Sequence, residues 1–421
     1  MHLRPILATL GHHRLTSLLL VLQVAFTCAI VCNAAFLIVG RVRRVHVDSG
    51  LQESRLSLLR VHDLQVGENP LSLHQADLAA LRALPGVESA AIVSNLPLSG
   101  DEDSGGACGS LQAVHAAIAA RSVGVQGCAQ PDAYRVGSQA LRTLGLELLA
   151  GRDFRADEYI PGTPGHAAPG AAAVIITRAL AQRLHLAGHA VGQSLYFGRD
   201  GFLKGQGAQI VGVVRHMARG SLSRVANNDL SMLVPVIPND DSVTFIVRSR
   251  SRDRGRILAA AVRVLEKRRP QREISSHDAR TYSQMRTSYF QRDITMIGLL
   301  VASALGLLFV SALGIAGLAS FWVGQRRRTI GIRRAVGATR SDILHYFQIE
   351  NFLIVGIGVI LGAVLAAALN VWLMHRYELP RLPWVYLPLG AIALWALGQI
   401  SVLAPARRAA RVPPVVATRS V

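Results

Sequence analysis

The sequence predicts an α-helical membrane protein with four transmembrane helices and a large α+β extracytoplasmic domain inserted between the first two. Three observations carry that fold class. Four segments are apolar over more than the thickness of a bilayer. Arginine is concentrated in the short segments beside them. Residues 40–291, between the first two apolar runs, read as alternating strands and helices.

Residues 15–39, 295–323 and 384–404 contain no charged side chain, and residues 349–374 contain one, Glu350 at the start. About 20 residues at 1.5 Å rise cross the hydrocarbon core. Core helices of soluble proteins rarely run this long without a polar face, and four would have to coincide. Arg4 and Arg14 give the first run a basic leader, but the run exceeds the roughly 7–15 apolar residues of a cleaved signal. Neither Cys28 nor Cys32 follows a lipoprotein cleavage pattern, so a retained anchor is expected.

Residues 41–291 hold 30 basic and 22 acidic side chains; the rest of the chain holds 15 and 4. That second excess sits beside the apolar runs: Arg4 and Arg14, six arginines in 326–340, then Arg407, Arg408, Arg411 and Arg419. Short basic loops stay in the cytoplasm. The expected order is therefore a cytoplasmic N-terminus (1–14), helix 15–39, the outer domain (40–291) and helix 292–323. A cytoplasmic loop (324–346), helix 347–374, a short outer loop (375–383), helix 384–404 and a cytoplasmic tail (405–421) follow. The net charge of +19 is accounted for by topology and anionic membrane lipid, so no nucleic acid is expected.

Within the outer domain, LSLLRVHDL suggests a strand, SLHQADLAALRAL a helix with Leu73, Leu78, Leu81 and Leu84 near helical spacing, and VESAAIVSNLPL a second strand. The pattern returns late in the domain: SVTFIVRS a strand, RGRILAAAVRVLEKRR a helix stopped by Pro270, REISS a short strand. The two ends are expected to pair, leaving 110–237 as an inserted subdomain with strands at AAAVIIT and AQIVGVVRHM and a Gly/Pro/Ala-rich loop at 161–173. Cys108 and Cys128 both lie in this domain. In an oxidising compartment a disulfide is expected, two unpaired thiols being the alternative. Cys28 and Cys32 read as small packing residues.

The only lysines are Lys204 and Lys267, and neither closes a GxxxxGK[ST] phosphate loop. HExxH and GxSxG are absent, and His185 and His189 read as a helix end rather than a metal pair. No catalytic residue, metal or cofactor is expected; the outer domain reads as a binding or force-transmitting module. The apolar runs carry no ionisable solute path. They carry small residues four apart: Gly358, Gly362 and Ala366; Ala302 and Gly306; Ala312, Ala316 and Ser320. Such stripes permit close helix approach, although Gly and Ala are common in membrane helices anyway. As a helix, run 295–323 would be roughly 44 Å long and must tilt or project outward.

RRRTIGIRRAVGATRSDILHYF, residues 326–347, is built to be rigid. Gly337 should stop a helix through 326–336, and Thr339 with Asp342 should cap a second helix that runs into the third span. A basic loop that only fixes orientation is the competing reading.

TIGIRRAVGATRSDI resembles the cytoplasmic signature of the FtsX-like permeases, the macrolide-exporter (MacB) type of ABC transporter. The tail PARRAARVPPVVATR and, in order, LRALPGVESAAIVSNLPL, LRTLGLELLAGRDF, VIITRALAQRL, VGQSLYFG and QIVGVVRHM resemble the closing motif and outer core domain of that family. The resemblance implies an inner-membrane, multi-pass permease that pairs with a second copy, as homo- or heterodimer, above ABC ATPase subunits. Ile330, Gly331, Ile332, Arg333, Arg334, Ala335, Gly337, Ala338, Thr339 and Arg340 would meet the ATPase. The macrolide exporter carries its ATPase on the same chain; here a separate subunit is expected. A periplasmic adaptor and outer-membrane channel would complete an exporter of drugs, peptides or lipoproteins. The other class in the family is a regulator that moves an outer partner, such as a cell-wall hydrolase, and transports nothing.

Overall fold

The computed structural model describes residues 14–62, 70–162, 170–186, 188–198, 207–222, 228–239, 242–269, 274–275, 277–377 and 383–411. The N-terminal leader to residue 13, most of the 161–173 loop, Lys204, most of REISS, the middle of the 375–383 loop and the tail beyond 411 lie outside these. The chain forms two compact units. One holds 1–46 and 292–421, the other 47–291.

The first unit is built from the helices Arg14–Val45, Tyr282–Gln325, Arg340–Tyr377 and Tyr386–Ala410, with the short helix Arg327–Ala335 between the second and third long ones. All four long helices have the length and hydropathy to cross a membrane. The second begins thirteen residues before the apolar run and, at 44 residues, is roughly 66 Å long, since the more polar YSQMRTSYFQRD (282–293) continues the helix without a break.

The first helix is the centre of this unit. Leu20, Val24, Cys28 and Cys32 on it, Ile354, Val355 and Val359 on the third and Leu394 and Val402 on the fourth share one buried cluster. The stripe Gly358, Gly362, Ala366 lies against the first helix. A Cβ on Gly358 would stand 2.8 Å from Val24 Cβ, and one on Gly362 2.4 Å from Cys28 Cβ. The Asn33 amide donates to the Ala366 carbonyl (3.2 Å). Cys32 fills the space over Gly390 of the fourth helix. Backbones this close gain dispersion contacts that larger side chains would forbid. The stripe Ala302, Gly306 is different: both residues are exposed and a Cβ on Gly306 meets nothing within 4 Å.

The second unit contains two stacked sheets. The smaller is antiparallel: β1 (Leu56–His62), β2 (Val87–Val93), β13 (Ser242–Ser249) and β14 (Ala279–Thr281), in the order β14-β1-β13-β2. Strands from both ends of the unit therefore share one sheet, with Leu56 opposite Arg248 and His62 opposite Ser242. A strand was expected at REISS; its two described residues, Ile274 and Ser275, are not in a strand, and β14 lies further on. Both faces of this sheet are covered, which is why β1 reads LSLLRV rather than alternating. Leu59 and Val61 pack with Phe245 under the helices Pro70–Arg82 and Arg254–Arg268. Leu56 and Leu58 face the other way, into a core shared with the larger sheet. The two covering helices are tied by Arg268 Nε to buried Asp77 Oδ1, 3.0 Å apart.

The larger sheet takes β3 (Gly106–Cys108), β4 (Cys128–Ala129), β5 (Asp132–Arg135), β6 (Leu148–Gly151), β8 (Ala173–Thr177), β9 (Ser194–Gly198), β10 (Gly207–Val214) and β11 (Ser231–Val234), and β7 (Ile160–Pro161) pairs apart from it with β12 (Val236–Ile237). In β8, Ala173 and Ile175 enter the shared core, while Val174 and Ile176 face the opposite side with Leu180 of the helix Arg178–Arg183. Cys108 and Cys128 stand directly opposite on β3 and β4 and form a disulfide (Cα–Cα 4.1 Å) beneath Val114 and Ala117 of the helix Leu111–Ala120.

His216, just past β10, fastens the start of this unit. Its Nε2 donates to the Asp48 carbonyl (2.7 Å) and Nδ1 faces Asp229 Oδ2 (3.2 Å). The Asp229 carboxylate raises its pKa from 6.5 to about 9, against the effect of burial and with help from Asp48. A folded pKa above the unfolded one means that the charged ring stabilises fully below pH 6.5. That contribution is lost as pH rises through about 9. The protein in detergent should thus melt above its His216→Ala variant at pH 6, and the gap should narrow by pH 10 to what the neutral ring's hydrogen bond and packing contribute. A gap that stays constant across that range would show that protonation of His216 contributes nothing.

Candidate functional site

The segment between the second and third long helices forms a closed helical hairpin. Its first arm, Arg327–Ala335, ends in a Schellman turn. Gly337 takes φ +109°, the Gly337 N–H donates to the Arg334 carbonyl (3.2 Å) and the Ala338 N–H to the Arg333 carbonyl (3.0 Å). A left-handed residue closes this turn, and glycine adopts it without Cβ strain. The second arm opens with a reciprocal capping box. The Thr339 N–H donates to Asp342 Oδ2 (3.0 Å) and the Asp342 N–H to Thr339 Oγ1 (3.2 Å). These local bonds fix the angle between the arms with no slack residue between them.

Three contacts hold the short arm to the long one. Ile330 is buried with Ile343 and Phe347. The Arg333 guanidinium lies over the Tyr346 ring, 5.1 Å from its centroid. Arg326, at the junction of the second long helix and the short arm, donates through one NH1 to both Glu350 oxygens, 3.1 and 2.9 Å away. A cavity of about 290 Å³ lies between the arms, lined by Thr329, Ile330, Ile343, Tyr346 and Phe347 and edged by Arg326, Arg333 and Asp342.

The residues expected to meet an ATPase divide into two sets. Ile332, Arg333, Ala335, Gly337, Thr339 and Arg340 are exposed, Arg334 and Ala338 half-buried. Ile330 and Gly331 are buried. Ile330 was expected to make an apolar contact with a partner; instead it holds the arm to the protein's own bundle, because helical spacing puts it opposite Ile332. The exposed apolar residues are Ile332 (51%) and Val336 (84%). Sequence reasoning missed Val336, although its place just before Gly337 at the turn was a usable signal.

No group of three or more His, Cys, Asp or Glu side chains able to hold a metal occurs among the described residues. The second unit has its own cavity, about 810 Å³, where Arg142, Arg215, His216 and Arg248 face Asp48, Glu147 and Asp153. Of these, Arg215 is paired with Glu147, which lowers the pKa of that carboxylate. His216 and Arg248 are likewise held by protein partners.

Residues 301–414 match the family described as FtsX-like permease C-terminal. Among curated proteins, the macrolide export ATP-binding/permease protein MacB of Nitrosomonas europaea is 33% identical over 248 residues, 55% of this chain and 35% of that protein. The protein of the same name from Agrobacterium fabrum is 26% identical over 294 residues, 66% of this chain and 42% of that one. The chain thus spans less than half the length of these relatives. Among solved structures, the periplasmic region of MacB from Actinobacillus actinomycetemcomitans aligns at 10% identity and a TM-score of 0.34. It covers 58% of this chain and 97% of that one. The extracellular domain of the ABC-type transporter YknZ from Gram-positive bacteria aligns at 13% identity and 0.32, covering 52% and 100%.

Proposed function

We propose that this chain, a permease of the FtsX-like, MacB type, transmits ATP-driven movement from an ABC ATPase to its outer unit to export a drug, peptide or lipoprotein. The closed hairpin at 326–347 carries this reading. A loop that served only to fix orientation would need its arginines and nothing more. This one has a Schellman turn, a capping box and a rigid exposed face of Ile332, Val336 and arginine. The 421 residues hold no GxxxxGK[ST] phosphate loop, and in this reading nucleotide binds a separate ATPase subunit. The protein works in the bacterial inner membrane as a dimer of permeases, with both termini and the hairpin in the cytoplasm and residues 47–291 outside.

Two experiments test this. A reporter active only outside should work when fused at residue 150 and be silent at 335; the reverse pattern would overturn the topology. Tagged protein purified from its own membranes should carry an ABC ATPase and raise its ATP hydrolysis. Absence of both would end the coupling reading. Reconstituted vesicles then separate the two classes: an exporter moves a substrate on ATP, a regulator hydrolyses ATP without moving one.

An outer unit in an oxidising compartment also keeps Cys108 and Cys128 joined. Replacing both with serine should cost about 3 kcal/mol for a separation of 20 residues. Peptide mass spectrometry of unreduced native protein should find them linked; two free thiols would place the unit in a reducing compartment.

A further inference from the structure

We infer that the Arg326–Glu350 ion pair is the joint that makes the short arm of the hairpin move together with the third long helix; this role rests on the coupling reading above. Glu350 was read from the sequence as a lone acid at the cytoplasmic edge of its span. In the structure its side chain is 4% exposed and that of Arg326 19%. Burying a carboxylate this far is costly unless a close cation with good geometry compensates it. Arg326 supplies both, with one N–H group shared by the two oxygens.

The position of Arg326 makes the pair more than packing. The second long helix ends at Gln325 and the short arm starts at Arg327. Arg326 alone breaks the helix between them, with φ −99° and ψ 9°. It is the hinge residue, and its side chain is clamped to the third helix. The far end of the arm is fixed by the Thr339–Asp342 box, and its middle by Ile330 and by Arg333 over Tyr346. With both ends tied, an upward push on the exposed face must displace the third helix. With the pair broken, the same push can swing the arm about its Gly337 end. Both members of the pair are largely buried, whereas Ile332 and Val336 are exposed, so losing it should uncouple the arm without removing its docking surface.

The test compares Arg326→Gln, Glu350→Gln and the swap Arg326→Glu/Glu350→Arg with the parent. Spin labels at Arg328→Cys and His345→Cys, both exposed, report the arm-to-helix distance with no ATPase present. ATPase capture and stimulated hydrolysis are measured in parallel. Each single variant should broaden the distance distribution, keep capture and lose most of the stimulation. The swap should restore the narrow distribution and the stimulation. Single variants with the distribution and stimulation of the parent overturn the inference, and so does a swap that restores neither. Loss of capture in the single variants also overturns it, because the pair would then shape the docking face. If the parent captures no ATPase, the coupling reading fails by itself, while the spin-label distances still decide whether the pair holds the arm.

Discussion

Reversing Arg333 and Arg334 to glutamate is expected to leave the protein inserted in the membrane but unable to hold its ATPase. Four arginines remain in the loop (326, 327, 328 and 340), enough to keep it cytoplasmic. Like charges placed together at an interface cost several kcal/mol, which is two or more decades of affinity. Capture should fall below detection and stimulated hydrolysis with it. Arg333 also lies over Tyr346, so the double variant removes an internal contact. Tyr346→Leu is the control: it deletes the ring, keeps both charges and should retain capture. If the charge-reversed protein inserts and still binds and stimulates the ATPase, the hairpin only marks topology.

Gly362→Leu should be the most damaging single change in the membrane unit. A Cβ there would lie 2.4 Å from Cys28 Cβ and 2.7 Å from the Ala25 carbonyl oxygen. One of these atoms is backbone, so no rotamer change relieves the clash, and the first and third helices must separate along their shared face. Overpacking of this kind costs about 1–3 kcal/mol where the neighbours can adjust, and more where they cannot. All four tryptophans (322, 372, 384 and 395) lie in this unit, so their fluorescence reports its unfolding in detergent. Gly306→Leu is the matched comparison on the second helix, where a Cβ finds open space, and it should melt with the parent. Equal melting of Gly362→Leu and Gly306→Leu would mean that the first and third helices do not pack as described.

The hairpin was the most legible part of the site. Its turn and cap depend on Gly337, Thr339 and Asp342, and every bond between them spans three to five residues. The ring under Arg333 and the burial of Ile330 were not legible. They depend on how the third helix folds back on the short arm, and helical period says which residues share a face but not what the face meets. The small-residue stripes make the same point. Gly358, Gly362 and Ala366 read no differently from Ala302 and Gly306, yet the first set is buried against the first helix and the second is open.

By itself the sequence determined the four long apolar helices, the hairpin between the second and third, and in the second unit two of the helices and most of the longer strands, because each follows from hydropathy or hydrogen bonds over a few neighbouring residues. The short strands β3, β4, β5, β6, β11 and β14 were beyond it, since two to four residues carry too little pattern. That the two ends of the domain pair was expected from the sequence; the tertiary structure alone decided the register, placing Leu56 beside Arg248 across almost the whole second unit. It also decided that Glu350 meets Arg326 and that Asp77 meets Arg268. A buried charge takes whichever partner the finished packing brings within reach, and the residues around it in the chain do not say which partner that will be.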